Sequence, residues 1–173
     1  MKNLILILCL FLVCGCGQKA YKIPTETMAP TLLPGDRILV DRLAYVSEGP
    51  KRGDIIVFRY PEDPHRDFVK RVIGLPGETV EINSGQVLIN GTALTEEPYA
   101  RFHYENRGDY GSMGKPVKVP ENSYYVMGDN SAKSRDSRYW GFVSRGALIG
   151  RATEIYFPFD RRRPLSRNSA ADT

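Results

Sequence analysis

The stretch DFVKRVIGLPGETVEINSGQVLING, residues 67–91, decides the fold class. Three short runs rich in Val, Ile and Phe (67–74, 79–82 and 86–91) are separated by LPGE and NSG, and the last closes on Asn-Gly. Apolar runs of this length, bounded by Gly, Pro and Asn, are strand and turn signals. A helix needs apolar residues recurring every three to four positions, and no stretch of the chain sustains that period. The same punctuation continues outward, through RILVDR (37–42) and DIIVFRY (54–60) on one side and SYYVMG (123–128) and ATEIYFPF (152–159) on the other. The pattern predicts an all-β fold, with antiparallel strands in a compact curled sandwich or barrel. Residues 92–120 are polar and turn-rich. They read as a small inserted subdomain or excursion, a reduced second subdomain within a domain spanning 17–160. Residues 161–173 carry Arg161, Arg162, Arg163 and Arg167 without apolar periodicity, and read as a basic, disordered tail.

Composition agrees with one globular domain. The chain has 173 residues, 42% hydrophobic and 25% charged, with a formal net charge of +4. Much of the positive excess lies in the tail. A balance of this kind suits an anionic membrane surface, and no stacking-aromatic motif or zinc-finger spacing points to nucleic acid.

The N-terminus locates the chain. One lysine precedes an unbroken apolar run from Leu4 to Cys14. At 11 residues the run is well short of the roughly 20 that span a bilayer, and it fits a secretory hydrophobic region better. All three cysteines, Cys9, Cys14 and Cys16, lie in residues 1–16, so the domain beyond has no disulfide framework and no cysteine metal site. The ending Val-Cys-Gly-Cys resembles the bacterial lipobox, with the cut after Gly15 and Cys16 as the acylated residue. A lipoprotein, a short uncleaved anchor and simple secretion all remain open. Each puts the domain at or near the membrane on its extracytoplasmic, periplasmic face.

Three segments carry the candidate chemistry. In the strand 67–74, alternate residues share a face. Phe68, Lys70 and Val72 point one way, so Lys70 interrupts an apolar face. Such a lysine commonly snorkels at a sheet edge. Buried among apolar groups it loses its proton more easily and becomes a usable general base, which then needs a hydroxyl to activate. The loop KIPTETMAPTLLPGD (22–36) has three prolines and a glycine, and holds Thr25, Glu26, Thr27 and Met28 between the first two prolines. It reads either as a surface turn or as a rigid mount for a reacting hydroxyl. The segment MGDNSAKSRDSRYWGFV (127–143) reads either as a polar hairpin loop closed by an ion pair or as a scaffold that orients a base through a serine. His65 and His103 are isolated and read as surface residues.

Together the three segments resemble the bacterial type I signal peptidases, membrane-bound peptidases that pair a serine nucleophile with a lysine base. IPTETMAPTLLPGD corresponds to the family's I-P-S-G-S-M-x-P-T-L…G-D, VKRVIGLPGE to its K-R-V-I-G-x-P-G-D, and GDNSAKSRDSRYWG to its G-D-N…S-x-D-S-R-x-x-G. Order and content agree from about Ile23 to Ala152. The resemblance implies Lys70 as general base, Ser134 as the serine orienting it, and Thr25 as the side-chain donor of the oxyanion hole beside the backbone N–H of residue 27. It makes Asp136 and Arg138 an ion pair that stiffens the site, with Met28, Pro30, Asp129 and Asn130 in support. The implied reaction is removal of N-terminal leader peptides from exported preproteins with small residues, Ala-x-Ala-like, before the cut. The leader docks as an added strand. No metal or organic cofactor is implied, and a monomer is expected.

The chain departs from the family pattern at the decisive position. Thr27 stands where the family has its nucleophilic serine, and Glu26 where it has glycine. Threonine serves as nucleophile in other peptidases, but its methyl group restricts χ1 and crowds the attack. Ser131 stands where the family usually has arginine, with Lys133 close by. Ser112-Met113 copies a Ser-Met pair without the Pro-Thr-Leu context, which leaves Thr27 as the nucleophile candidate. An active threonine–lysine peptidase is the leading reading. A degenerate homologue that binds leader-like peptides without cutting them, and a dedicated processing peptidase for a narrow conjugation or pilus-like substrate, are the alternatives.

Overall fold

The computed structural model describes residues 17–168. The N-terminal apolar run and Cys16, with the readings that rest on them, lie outside the described residues. Within them the chain forms β1 (Gln18–Lys22), β2 (Arg37–Asp41), β3 (Ile55–Tyr60), β4 (Asp63–Gly74), β5 (Thr79–Asn83), β6 (Gln86–Ile89), β7 (Thr92–Ala93), β8 (Val117–Lys118), β9 (Ser123–Met127), β10 (Val143–Ser144), β11 (Leu148–Phe157) and β12 (Arg163–Pro164). One helical turn, α1 (Ser137–Trp140), is capped by the Asp136 side chain. Among the described residues no helix is long and apolar enough to cross a membrane.

The strands make two sheets. The larger runs β1-β2-β11-β3-β4-β9-β10, with β12 added to β11, and the smaller runs β7-β6-β5-β8. Every pairing is antiparallel. The all-β, antiparallel expectation holds, and both sheets are open rather than closed into a barrel. The smaller sheet begins at Thr79, so its core is the pair of strands read from 79–91, to which residues 92–120 add only β7 and β8.

Burial explains the strands. On β2, Ile38 and Val40 are fully buried while Arg37 is exposed, the alternation of a sheet with one covered face. The second half of β4 is buried on both faces because it lies where the two layers meet. Val72 packs with Ile56, Phe58 and Val126, and Ile73 with Val80, Ile82 and Tyr125. A third cluster sets Ile23, Met28 and Leu32 of the 22–36 loop against Ile38, Val57 and Ile155 of the large sheet. That loop is therefore part of the core along one side.

The basic tail departs from expectation. Residues 161–168 are held rather than disordered: β12 pairs with β11, Arg161 forms a forked ion pair with Asp36, and Arg167 pairs with Asp54. The segment lacks apolar periodicity because its fixation is ionic and through backbone bonds. Residues 169–173 lie outside the described residues.

Candidate active site

β4 supplies one half of the site and the loop before β2 the other. The loop is closed at its base by Ile23 N–H donating to the Asp36 carbonyl and Gly35 N–H to the Ile23 carbonyl, each at 2.8 Å. Met28 and Leu32 anchor it in the core, 1% and 0% exposed, and Leu32 N–H donates to the Met28 carbonyl at 2.9 Å. Thr27 sits half-buried immediately before this anchor. Its carbonyl accepts from Asn130 N–H at 3.1 Å. Gly128 lies behind it, where any Cβ would collide with the Thr27 carbonyl oxygen and with Ser134 Oγ. Only glycine permits this close approach.

From β4, Lys70 reaches the same point. Its Nζ donates to Thr27 Oγ1 at 3.1 Å and to the Val69 carbonyl at 3.0 Å. The side chain is 3% exposed. Burial pushes its pKa from 10.5 down to about 8, against Asp136 and Asp129, which favour the ammonium, and with help from Arg138. Among the described residues no carboxylate forms an ion pair with it. Thr25 Oγ1 lies 3.4 Å from Thr27 Oγ1, so the two hydroxyls share a side. The Thr25–Thr27 segment is a bend, and on it Glu26 is exposed. It pairs with Lys133 at 2.9 Å across 107 residues of sequence.

The 127–143 segment walls the site. Asp136 and Arg138 form a fork, Nε to Oδ1 at 2.8 Å and Nη2 to Oδ2 at 2.9 Å, with both side chains fully buried. Asp136 also accepts from Gly128 N–H at 3.1 Å, and Arg138 donates to the Ser134 carbonyl at 3.1 Å. Ser134 is buried, and its Oγ has no partner among the described residues. Asp129 is engaged by Arg71 through a second buried fork, 2.8 and 2.7 Å, and by Thr31 Oγ1 at 2.6 Å. Pro30 is exposed and lines a shallow groove with Ala29, Asn130 and Ser131.

The structure thus brings Thr25, Thr27, Lys70 and the Gly128–Arg138 segment together. Arg71 and Thr31 were not among the residues read from sequence as site candidates, and Ser131 was read only as a departure from the family pattern. Arg71 had a visible signal, a cation between Val69 and Ile73 on the opposite face from Lys70. Ser131 takes a structural place: its Oγ accepts from Arg138 Nη1 at 2.7 Å and from Glu105 N–H at 2.8 Å. Thr27 and Lys70 line a cleft of about 770 Å³ walled by Tyr21–Thr25, Met28, Tyr60 and Arg66–Val69. On β4, pairing with β9 begins only at Arg71, and β1 is the edge strand of the sheet, so two open backbone edges border this cleft.

The profile of the signal peptidase family, peptidase S26, matches residues 1–157. The chain belongs to the signal peptidase family. Signal peptidase I of Leptolyngbya laminosa is 44% identical over 150 residues, covering 83% of this chain and 70% of that protein. A probable signal peptidase I-1 of Synechocystis sp. is 40% identical over 163 residues, covering 90% of this chain and 79% of that protein. A solved structure, a signal peptidase I from Enterococcus faecalis, is 36% identical and superposes with a TM-score of 0.47 over 60% of this chain and 97% of that one. Glu26 and Thr27, the two departures from the quoted family pattern within the 22–36 loop, are adjacent. The geometry around them keeps a hydroxyl within hydrogen-bond reach of the buried lysine.

Proposed function

We propose that this protein is a membrane-associated endopeptidase that removes N-terminal leader peptides from exported preproteins, with Thr27 as nucleophile and Lys70 as general base. One observation carries the reading: an almost fully buried lysine, its pKa lowered to about 8, lies 3.1 Å from a threonine hydroxyl at the end of a cleft. A buried lysine with no ion-pair partner is costly, and its use is proton transfer. Neutral Lys70 accepts the Thr27 Oγ1 proton as Oγ1 adds to the scissile carbonyl. The oxyanion is met by Thr25 Oγ1 and the backbone N–H of Thr27, donors of a kind worth about 3 kcal/mol each to a transition state. The Lys70 ammonium then protonates the leaving amine, and water resolves the acyl-threonine by the same route in reverse. Ser134, a buried hydroxyl with a spare acceptor, takes the part of orienting Lys70 that the family resemblance implies. Asp136–Arg138 and Arg71–Asp129 hold the walls, with Met28, Pro30 and Asn130 setting the loop.

The leader lies extended between the open edges of β1 and β4, with small residues, Ala-x-Ala-like, facing the apolar wall. Residues 17–160 form the peptidase unit. Residues 1–16 hold it at the extracytoplasmic face, as a short anchor or through acylation at Cys16. It acts as a monomer.

The test is cleavage of a preprotein by the purified chain in detergent. Thr27→Ala should abolish turnover, since losing a nucleophile costs on the order of 10⁶ in rate. Thr27→Ser should preserve or raise it by relieving the methyl crowding. Equal behaviour of wild type and Thr27→Ala, both binding the leader without cutting it, would replace this reading with that of a leader-binding homologue.

A further inference from the structure

We propose that Arg161 and Arg163 are positioning residues for the nucleophile loop: residues 159–168 form a strap that clamps loop 23–36 from behind and holds the Thr27 hydroxyl at Lys70. The proposal rests on the reading of Thr27 as nucleophile. The strap follows the 1–157 stretch matched by the family profile.

Each arginine takes hold of a point that fixes the loop. Asp36 is the closing residue: its carbonyl accepts from Ile23 N–H, its carboxylate accepts from Leu33 N–H at 2.8 Å, and it is 1% exposed. Arg161 meets that carboxylate with a fork, Nε to Oδ1 at 2.8 Å and Nη2 to Oδ2 at 2.9 Å. A planar bidentate contact sets direction as well as distance. Arg163 Nη2 donates to the Thr31 carbonyl at 2.9 Å. The hydroxyl of the same threonine donates to Asp129, so Thr31 is held at both ends, four residues after Thr27.

The strap itself is fixed. Arg163 pairs with Ile155 in the β11–β12 ladder, and Leu165 N–H donates to the Thr153 carbonyl at 2.8 Å. Farther on, the Arg167 carbonyl accepts from Arg71 Nη1 at 2.8 Å, and Arg71 holds Asp129. A solvated run of arginines would not place two guanidinium groups on one loop through partners 125 and 132 residues away. Lys70 is carried by β4, which pairs with β3 through Ile56 and is bonded by neither Arg161 nor Arg163. The clamp therefore acts on the loop that carries Thr27 rather than on the strand that carries Lys70.

The experiment compares the full-length chain in detergent with Arg161→Ala, Arg163→Ala, the double variant and Arg161→Lys. Turnover of a preprotein and amide hydrogen exchange are both followed, well below each variant's melting temperature. The double variant should lose roughly 10- to 100-fold in kcat, the scale on which misplacing a reacting group acts. KM should stay within about twofold. Amides of residues 23–36, Leu32 among them, should exchange faster while the β3–β4 ladder keeps its protection. Arg161→Lys, which keeps the charge and loses the fork, should fall between. A folded double variant with wild-type kcat and only a lower melting temperature would overturn the proposal, as would faster exchange spread evenly over the large sheet. Should the double variant not fold, Arg161→Lys with wild-type kcat and unchanged exchange at 23–36 overturns it equally. Thr27→Ala is run alongside. If that variant still cleaves, the assignment of Thr27 fails, and the exchange pattern alone decides the clamp.

Discussion

Replacing Lys70 by methionine should make the protein more stable at neutral pH while destroying its activity. The magnitude follows from burial. Lys70 is 3% exposed, and its pKa is lowered from 10.5 to about 8. At 1.36 kcal/mol per pKa unit, the folded state carries a penalty of roughly 3 kcal/mol for the ammonium. The sign follows from linkage. Below pH 8 both folded and unfolded lysines are charged and the folded state bears the whole penalty. Between 8 and 10.5 the unfolded chain binds more protons, so stability rises with pH, and above 10.5 the penalty is gone. Methionine never carries it, but loses the hydrogen bonds to Thr27 and Val69, worth about 1 kcal/mol each. Lys70→Met should therefore be about 1 kcal/mol more stable than wild type at pH 6–7 and about 2 kcal/mol less stable near pH 10.5. Burial raises the pKa of Tyr45 and Tyr125, but both proteins share that contribution and it cancels in the difference. Urea unfolding of the full chain, followed by the fluorescence of the single tryptophan, Trp140, measures the difference at each pH. A difference that stays flat from pH 7 to 10 would refute the claim that Lys70 is buried at a cost.

The rate of leader cleavage should rise with pH through an apparent midpoint at about 8, the point at which Lys70 loses its proton, and Lys70→Arg should be inactive at every pH because a guanidinium does not deprotonate here; a pH-independent rate between 6 and 9 would assign the base elsewhere. Arg71→Met strips the partner from Asp129, whose side chain is 1% exposed, and should cost about 3–5 kcal/mol in urea unfolding; a cost under about 1 kcal/mol would mean that the fork with Asp129 does not hold. Lys133→Ala opens the half-exposed pair with Glu26 and should change stability by less than about 1 kcal/mol. Cleavage should stay within about threefold of wild type, and a large loss would show that Glu26, once released, acts on Lys70.

The strands were legible where alternation and turn residues coincided. β2, β3, β5, β6 and β9 fall on the predicted runs to within a residue or two. β4 begins four residues early because Asp63 pairs with Tyr60 and Asp67 with Arg59 around an irregularity, the setting in which a strand tolerates Pro64. β1 was missed since QKAYK is mostly exposed and is held by its backbone pairing with β2, which leaves no apolar trace. The site was legible through residue types that make little sense alone: a lysine on an apolar strand face and a hydroxyl in a proline-rich loop. Its supports were less so. Thr31 carries no signature of its hold on Asp129, 98 residues away. The arginines of the tail read as solvated charge because their partners, Asp36 and Thr31, belong to a loop at the other end of the chain.

Two adjacent cations on β4 show how the fold separates structure from chemistry. Lys70 and Arg71 are both buried, 3% and 0% exposed, and point to opposite faces. Arg71 meets a carboxylate fork, two backbone carbonyls and a threonine hydroxyl, so its charge is permanent and fully used. Lys70 meets a hydroxyl and a single carbonyl. The carboxylates that could hold its proton, Asp129 and Asp136, are each already engaged by a guanidinium fork. Each fork turns a full negative charge into a local dipole, and Arg138 adds a cation of its own to the balance at Lys70. Burial then outweighs the remaining attraction, and the lysine can lose its proton near neutral pH. Exchanging the two residues would fail on both faces. Lysine cannot make the fork that Asp129 receives, and arginine cannot become the neutral base that the proposed attack by Thr27 requires. The order Lys-Arg on this strand is thus set by chemistry on one face and by architecture on the other.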